Sequence, residues 1–150
     1  MNIDSDEHGI ASEAMVENAL QQVQNKPNDD SIPKIKEFVH AKKNSALDRQ
    51  HIDFLVKLEN GLDVPLQVKS SERRRRRFER FNAKHRRFIP VIVVKIGEAL
   101  ESVINKVVAC IKLALNTIRR VVNQKIHQKK VREQKRRKRC FRFFSPSMCH

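Results

Sequence analysis

The chain has 150 residues and a formal net charge of +15; 39% of its residues are hydrophobic, and its only aromatic residues of the Phe, Trp and Tyr group are eight Phe. This length suits one domain with a modest core and room for an appendage. Only three Gly are present, which excludes a glycine-rich nucleotide loop. Scattered His residues and the lack of a Gly-x-Ser-x-Gly turn give no support to hydrolysis by a Ser/His/Asp triad.

Positive charge is concentrated in the second half of the chain. Residues 71–150 contain 24 Lys/Arg and 5 Asp/Glu, whereas residues 1–70 contain 8 and 12. Such an excess of cations indicates a polyanionic partner. Nucleic acid is the first candidate, with DNA favoured, and an anionic membrane surface or an acidic protein are the alternatives.

Cysteine usage and hydropathy predict where the protein is found. Cys110, Cys140 and Cys149 are an odd number at wide spacing, which favours a reducing compartment over a disulfide framework. The acidic N-terminus lacks the features of a secretory signal, and four Lys/Arg interrupt the most apolar long window, residues 103–122. We therefore expect no membrane span and a cytoplasmic location, or a nuclear one in a eukaryotic cell.

The N-terminal third is predicted to be helical. Residues 1–30 are interpreted as an acidic segment with an amphipathic helix over 11–24, followed by a linker. A second helix is predicted over residues 32–43, since Pro33 is tolerated in a first turn. Its buried face would consist of Ile35, Phe38 and Val39.

Residues 50–71 predict a β-hairpin around Asn60-Gly61, a strong hairpin signal. Because side chains alternate along a strand, one face would be apolar and the other polar. The polar face would bring Asp53, Gln67 and Lys69 together. The apolar face would consist of Ile52, Phe54, Val56, Val64, Leu66 and Val68.

This polar grouping resembles the active site of the PD-(D/E)xK nuclease superfamily, which includes many restriction endonucleases and Holliday-junction resolvases. In that family an Asp on one strand and an acid-x-Lys motif on the next hold a divalent metal beside the scissile phosphate. Asp53 matches the first position and Gln67-Val68-Lys69 the second, with Gln67 in place of the usual acid. The resemblance implies Mg²⁺ or Mn²⁺ held by Asp53 and Gln67, with Lys69 at the phosphate.

The family also often has an extra acid on a helix before the motif strand. Glu37, on the predicted helix over residues 32–43, matches that position. A solvated helix glutamate is the alternative interpretation of Glu37.

Ser70 and Ser71 predict the cap of a helix over residues 72–85. Its first turns hold five consecutive arginines at a helix N-terminus, where an anion finds backbone donors and a positive dipole end. The arginines are interpreted either as a solvated charge run or as phosphate contacts, and their mutual repulsion favours phosphate. They are Arg73, Arg74, Arg75, Arg76 and Arg77.

An apolar, β-branched run over residues 88–95 predicts a buried strand reached by a parallel crossover. The predicted fold class is therefore α/β, with a small restriction-endonuclease-like core of helix, β-hairpin, helix and strand over residues 31–96. Because the family core has three strands before its second helix, a further strand is expected around residues 46–50.

The C-terminal third predicts a long amphipathic helix over residues 97–126 and a basic, disordered tail over 127–150. A heptad seam on the helix must be covered by the domain or by a second copy, and its length favours a homodimer. The seam consists of Leu100, Ile104, Val107, Ile111, Ala114, Ile118 and Val121. The tail would contact nucleic acid through Lys135, Arg136, Arg137, Lys138 and Arg139.

These features give three hypotheses for function. The first is a metal-dependent DNA endonuclease that hydrolyses phosphodiester bonds. The second is a non-catalytic nucleic-acid-binding protein with a degenerate nuclease fold, and the third is an interaction protein that uses the heptad helix and the basic tail. His51 and His85 are interpreted as ordinary surface residues near the predicted site.

Overall fold

The computed structural model describes residues 3–26 and 32–143. Four strands form one mixed sheet in the order β1-β2-β3-β4, so the predicted α/β class is confirmed. The elements in chain order are α1 (Ile3–Asn25), β1 (Ile35–His40), α2 (Ala46–Arg49), β2 (Phe54–Leu58), β3 (Asp63–Lys69), α3 (Glu72–Lys84), β4 (Val91–Val93) and α4 (Leu100–Phe143).

The predicted hairpin is confirmed as β2 and β3, which pair antiparallel with Val56 opposite Val64. Gly61 in the connecting turn has φ +84°, a backbone conformation that glycine adopts without steric cost. All six apolar side chains predicted to face the core are buried. Two-residue alternation therefore describes this part of the chain correctly.

The helix predicted over residues 32–43 is wrong, because residues 35–40 form strand β1, antiparallel to β2. Ile35 lies opposite Leu58 and Glu37 lies opposite Lys57, so two residue steps on β1 match one step on β2. This bulge lets Ile35 and Phe38 both pack against the core although they are three residues apart. That spacing is typical of a helix, which explains the error.

The strand expected around residues 46–50 is also misplaced. That segment contains the short helix α2, capped by Ser45, whose side chain accepts a hydrogen bond from the Asp48 N–H. The third strand of the sheet is β1 instead. Apart from the short helix α2, the element order as far as β4 is therefore helix, three strands, helix and strand.

The predicted helix after Lys69 is confirmed as α3, with Ser71 as its N-cap. The Ser71 hydroxyl oxygen accepts a hydrogen bond from the Arg74 N–H at 3.4 Å. After α3 the chain enters β4, which pairs parallel with β3, as the predicted crossover requires. Helix α1 is confirmed over residues 11–24 and begins earlier, at Ile3.

The main core lies between the sheet and two helices. Helix α1 contributes Val16, Ala19 and Leu20, which are buried against the apolar side chains of the strands and of α4. A second, smaller cluster of Ile52, Phe78 and Ile89 joins α3 to the sheet. Strand β3 contacts both α1 and α3.

Helix α4 begins in a compact unit that comprises the described residues up to 115 and continues into a second unit that starts at residue 116. In the first unit the buried face of α4 packs against the main core. That part of the predicted seam is therefore covered by its own chain, not by a second copy. The fully or nearly fully buried residues of this part of the seam are Val107, Ile111 and Ala114, and Val103 beside the seam is fully buried as well.

In the second unit α4 is helical to Phe143, whereas a disordered tail was predicted from residue 127. Residues 124–143 contain no Gly or Pro and are rich in Lys, Arg and Gln, which are good helix formers. The part of the predicted tail after residue 143 lies outside the described residues. Among the helices of the described segments, none is long and apolar enough to cross a membrane.

Candidate active site

A cavity of about 540 Å³ lies between α1, β3 and α3 and is called the α1–α3 cavity below. Three of the four predicted catalytic residues line it together: Asp53, Gln67 and Lys69. Asp53 stands directly before β2, and the other two belong to β3. Pairing of these adjacent strands therefore brings one carboxylate, one amide and one ammonium to the same cavity.

The Asp53 carboxylate is fixed by the neighbouring strand. Its Oδ2 accepts a hydrogen bond of 2.7 Å from the Val68 N–H, and the Asp53 N–H donates to the Leu66 carbonyl at 2.9 Å. Burial raises the pKa of Asp53 above its ordinary value; the Val68 N–H opposes this, and nearby Glu13 raises the pKa further. Charge from Lys69 and a hydrogen bond from the Gln67 side chain lower it, but the net shift is upward.

The Gln67 side chain is buried, with only 5% of the residue exposed. Its Oε1 is a buried acceptor that has no hydrogen-bond partner among the described residues. Leaving such a group unpaired costs about 1–3 kcal/mol. An orphaned oxygen beside a carboxylate is therefore a point at which a cation or a hydrogen-bond donor would be stabilised.

The Lys69 ammonium lies 5.1 Å from the centre of the Phe78 ring. Burial lowers the pKa of Lys69, the Asp53 charge partly restores it, and the positive charge of Arg74 lowers it again. An added anion in the cavity would stabilise the charged form of Lys69. The surroundings of the Lys69 side chain thus favour binding of an anion.

Glu13 on α1 also lines the α1–α3 cavity, and the sequence analysis did not identify it. Its Oε2 lies 3.0 Å from Nε2 of His40 on β1, and Glu17 lies 3.6 Å from Nδ1 of the same ring. The neighbouring Ser12 hydroxyl lies 3.1 Å from the carbonyl oxygen of Val94 and 2.8 Å from that of His8, so it donates to one of them. Helix α1 thus lies close to β1 at His40 and to the end of β4 at Val94.

A signal for Glu13 exists in the sequence once β1 is assigned correctly. The helix that precedes the first strand is then α1, so the acid that the resemblance implies for that helix would come from α1. Glu37, the residue predicted for this role, lies on β1 and is not among the residues that line the cavity. Its carboxylate forms an ion pair of 3.0 Å with Lys57, directly opposite on β2.

The five consecutive arginines of α3 point in different directions, because a helix turns by about 100° per residue. Arg74 and Arg77 line the α1–α3 cavity. Arg75 is engaged elsewhere, at 2.8 Å from Glu72 and 3.7 Å from Glu79. Arg73 and Arg76 are exposed outside it.

The predicted basic contacts of the C-terminal part lie on α4, in the second unit. All five side chains are exposed on this helix. They are Lys135, Arg136, Arg137, Lys138 and Arg139.

Metal-ligand clusters of three or more His, Cys, Asp or Glu side chains do not occur within residues 3–26 and 32–143. Comparison of the chain with protein-family models, curated proteins and solved structures gives no significant match. The geometry of the α1–α3 cavity is therefore the basis for inferring a function.

Proposed function

We propose that this protein is a metal-dependent nuclease that hydrolyses phosphodiester bonds of DNA. The observation that carries the proposal is the convergence of Asp53, Gln67 and Lys69 on one cavity, at the N-terminal end of an arginine-rich helix. Glu13 adds a second carboxylate and Arg74 and Arg77 add two cations to the same space. Carboxylates and a lysine beside cations are a suitable set for a phosphodiester.

The order of the elements supports the same proposal. Helix, three strands, helix and strand is the core that the resemblance to the PD-(D/E)xK superfamily implies. Asp53 stands at the start of the second strand and Gln67-Val68-Lys69 lies on the third, as the motif requires of two adjacent strands.

The oxygen atoms at the cavity fit Mg²⁺ or Mn²⁺. Magnesium prefers oxygen ligands and commonly takes only one or two protein carboxylates. The Asp53 carboxylate and the unpartnered Oε1 of Gln67 would hold the ion, with Glu13 on the same cavity. When bound, the ion neutralises charge that builds on the phosphate and makes a water molecule a stronger nucleophile.

Side chains and a backbone N–H of the protein would position the substrate and stabilise the transition state. Lys69 donates hydrogen bonds to the phosphate oxygens as their negative charge increases, and the low-dielectric surroundings strengthen that interaction. Arg74 and Arg77 hold the phosphate groups of the strand beside the reacting one. The Val68 N–H keeps the Asp53 carboxylate oriented toward the cavity.

The proposal is tested by incubating the protein with plasmid DNA and with single-stranded DNA in Mg²⁺, in Mn²⁺ and in EDTA. We expect cleavage that EDTA abolishes and that Lys69→Ala reduces by about 100-fold or more. Lys57→Ala is the matched control, because Lys57 is exposed and pairs with Glu37 away from the cavity. Cleavage that survives in Lys69→Ala, or that disappears equally in Lys57→Ala, would contradict the proposed site.

A specific observation favours a second candidate, a nucleic-acid-binding protein without catalytic activity. Gln67 is neutral where the resembling family usually has an acid, which removes one negative ligand for a divalent ion. The variant Gln67→Glu distinguishes the two candidates. DNA binding without cleavage in the native protein, with cleavage gained in Gln67→Glu, would establish the non-catalytic binder.

A further inference from the structure

One side of the α1–α3 cavity is an aromatic wall formed by His51, Phe78 and Phe81. The Phe78 and Phe81 rings are stacked, with centroids 6.2 Å apart and planes 25° apart. The His51 ring meets both of them edge-on, at 6.3 Å from Phe78 and 5.1 Å from Phe81. His85 extends the wall outward, with its ring 4.4 Å from Phe81.

The wall differs from an ordinary core cluster in its exposure. Phe78 is buried, but Phe81 is 37% exposed, and His51 and His85 are exposed as well. His51 has φ +59°, a conformation that is uncommon for a residue with a side chain. The chain thus presents aromatic surface to the cavity instead of covering it.

Cations stand beside these rings on the same helix. Arg74, Arg77, Phe78 and Phe81 are spaced three or four residues apart on α3, so they share one face. The Lys69 ammonium lies 5.1 Å from the Phe78 ring, which places the wall next to the predicted phosphate position. The cavity of about 540 Å³ is within the range of natural ligand sites.

Aromatic rings beside cationic side chains can recognise an unstacked nucleotide, because the rings stack on the base and the cations contact the phosphate. Every nucleobase has an aromatic face, but in a duplex that face is covered by the neighbouring base pairs. Only an unpaired base can stack on a side chain while its phosphate contacts Lys or Arg. Duplex DNA would engage the arginines and leave the rings unused.

We propose that the aromatic wall binds an unpaired base, so that the preferred substrate of this cavity is single-stranded DNA or a single-stranded segment joined to a duplex. The inference rests on the proposed function and specifies its substrate class. Phe81 is then the main stacking surface, and Phe78 and His51 hold its ring in place.

The test is binding of a short single-stranded oligonucleotide and of the matching duplex, measured by fluorescence anisotropy in EDTA so that nothing is cleaved. We expect Phe81→Leu to weaken single-strand binding about tenfold and to leave duplex binding unchanged, because leucine keeps apolar volume but lacks a ring face. Phe81→Trp should retain the affinity. Phe88→Leu is the matched control, since Phe88 is 49% exposed but does not line the cavity.

A second measurement changes the ligand instead of the protein. An oligonucleotide with abasic sites should bind the native protein about tenfold more weakly, and the difference between native protein and Phe81→Leu should disappear. Equal binding of the abasic and normal strands, or equal effects of Phe81→Leu on single strand and duplex, would overturn the inference. Thermal unfolding of each variant shows whether it is folded.

The two proposals fail in different ways. Metal-dependent cleavage of duplex plasmid, with no effect of Phe81→Leu specific to single strands, would refute the single-stranded substrate and support the proposed nuclease. Base-dependent binding of single strands with no cleavage in Mg²⁺ or Mn²⁺ would refute the proposed nuclease activity and support the stacking site.

Discussion

Burial of the Asp53 carboxyl group opposes its ionisation. Because burial raises its pKa, the folded state holds the Asp53 proton more tightly than the unfolded chain does. The stability contributed by this group is therefore present at low pH and is lost as the pH rises from the ordinary value of Asp, about 4, through the raised pKa. Ionisation of this buried carboxyl group therefore opposes folding, because desolvation disfavours its charged form.

We therefore expect Asp53→Asn to raise the melting temperature at pH 7, since the amide removes the charge and can still accept from the Val68 N–H. The gain should shrink toward zero below about pH 4, where the native carboxyl is itself protonated. Thermal unfolding between pH 3 and pH 8 measures both effects. Asp63→Asn is the control, because Asp63 is exposed and its substitution should change stability by no more than about 0.5 kcal/mol. A lower melting temperature for Asp53→Asn at pH 7 would refute this account.

Individual residues also show what the sequence could predict of the site. Asp53, Gln67 and Lys69 were found because strand alternation alone puts them on one face. Glu13 was missed because it depends on a contact between α1 and the cavity, which no local pattern encodes. The aromatic wall was missed for the same reason: His51 and Phe81 are thirty residues apart in the sequence, and only the packing of α3 on the sheet brings their rings together.

At the scale of elements, local pattern identified β2, β3, α3 and β4, in which the periodicity of apolar residues matches the backbone period. It failed at β1, where a bulge changes the spacing of inward side chains from two to three residues. It also underestimated α4, since high charge was interpreted as disorder although the residues concerned favour a helix. Composition and periodicity thus predict elements well only where the backbone is regular.

Helix α4 offers an internal comparison between a buried and an exposed position. Ile111→Ala should lower the free energy of unfolding by about 2–5 kcal/mol, because Ile111 is fully buried in the main core. Ile126→Ala removes the same atoms from a residue that is 48% exposed, so its cost should stay within about 0.5 kcal/mol. Chemical denaturation at two protein concentrations checks both values. A large, concentration-dependent cost for Ile126→Ala would instead indicate that a second copy covers the later part of the helix.

At the scale of the whole molecule, the net positive charge would raise the affinity for nucleic acid more than the sequence specificity of binding. Residues 71–150 carry most of the cations, and most of these cations lie on α3 or on α4. Each phosphate that a cation neutralises makes binding more sensitive to salt, because counterions are released. The sequence predicted this charge asymmetry completely, but not which arginines of α3 reach the cavity.

The salt dependence of the proposed DNA binding would show which of these arginines contact phosphate. The double variant Arg74→Gln/Arg77→Gln should reduce the slope of log affinity against log salt by about 2, one for each lost phosphate contact. Arg73→Gln/Arg76→Gln removes the same charge outside the cavity and should change the slope by less than about 1. Titrations between about 50 and 200 mM salt measure both slopes. Equal slopes for the two variants would show that the cavity does not hold the phosphates.

The Ser12 hydroxyl and the Val94 carbonyl lie 3.1 Å apart although 82 positions separate them in the sequence. Glu13 follows Ser12, so this contact brings α1 close to the residue after β4, in addition to the contact of Glu13 with His40 on β1. A nascent polypeptide on the ribosome that ends before β4 contains Asp53, Lys69 and the His40 partner of Glu13, but lacks the Val94 carbonyl near Ser12 and the strand beside β3. Because β3, which carries Gln67 and Lys69, would then be an unpaired edge, we expect the proposed hydrolytic activity only in a chain synthesised beyond β4.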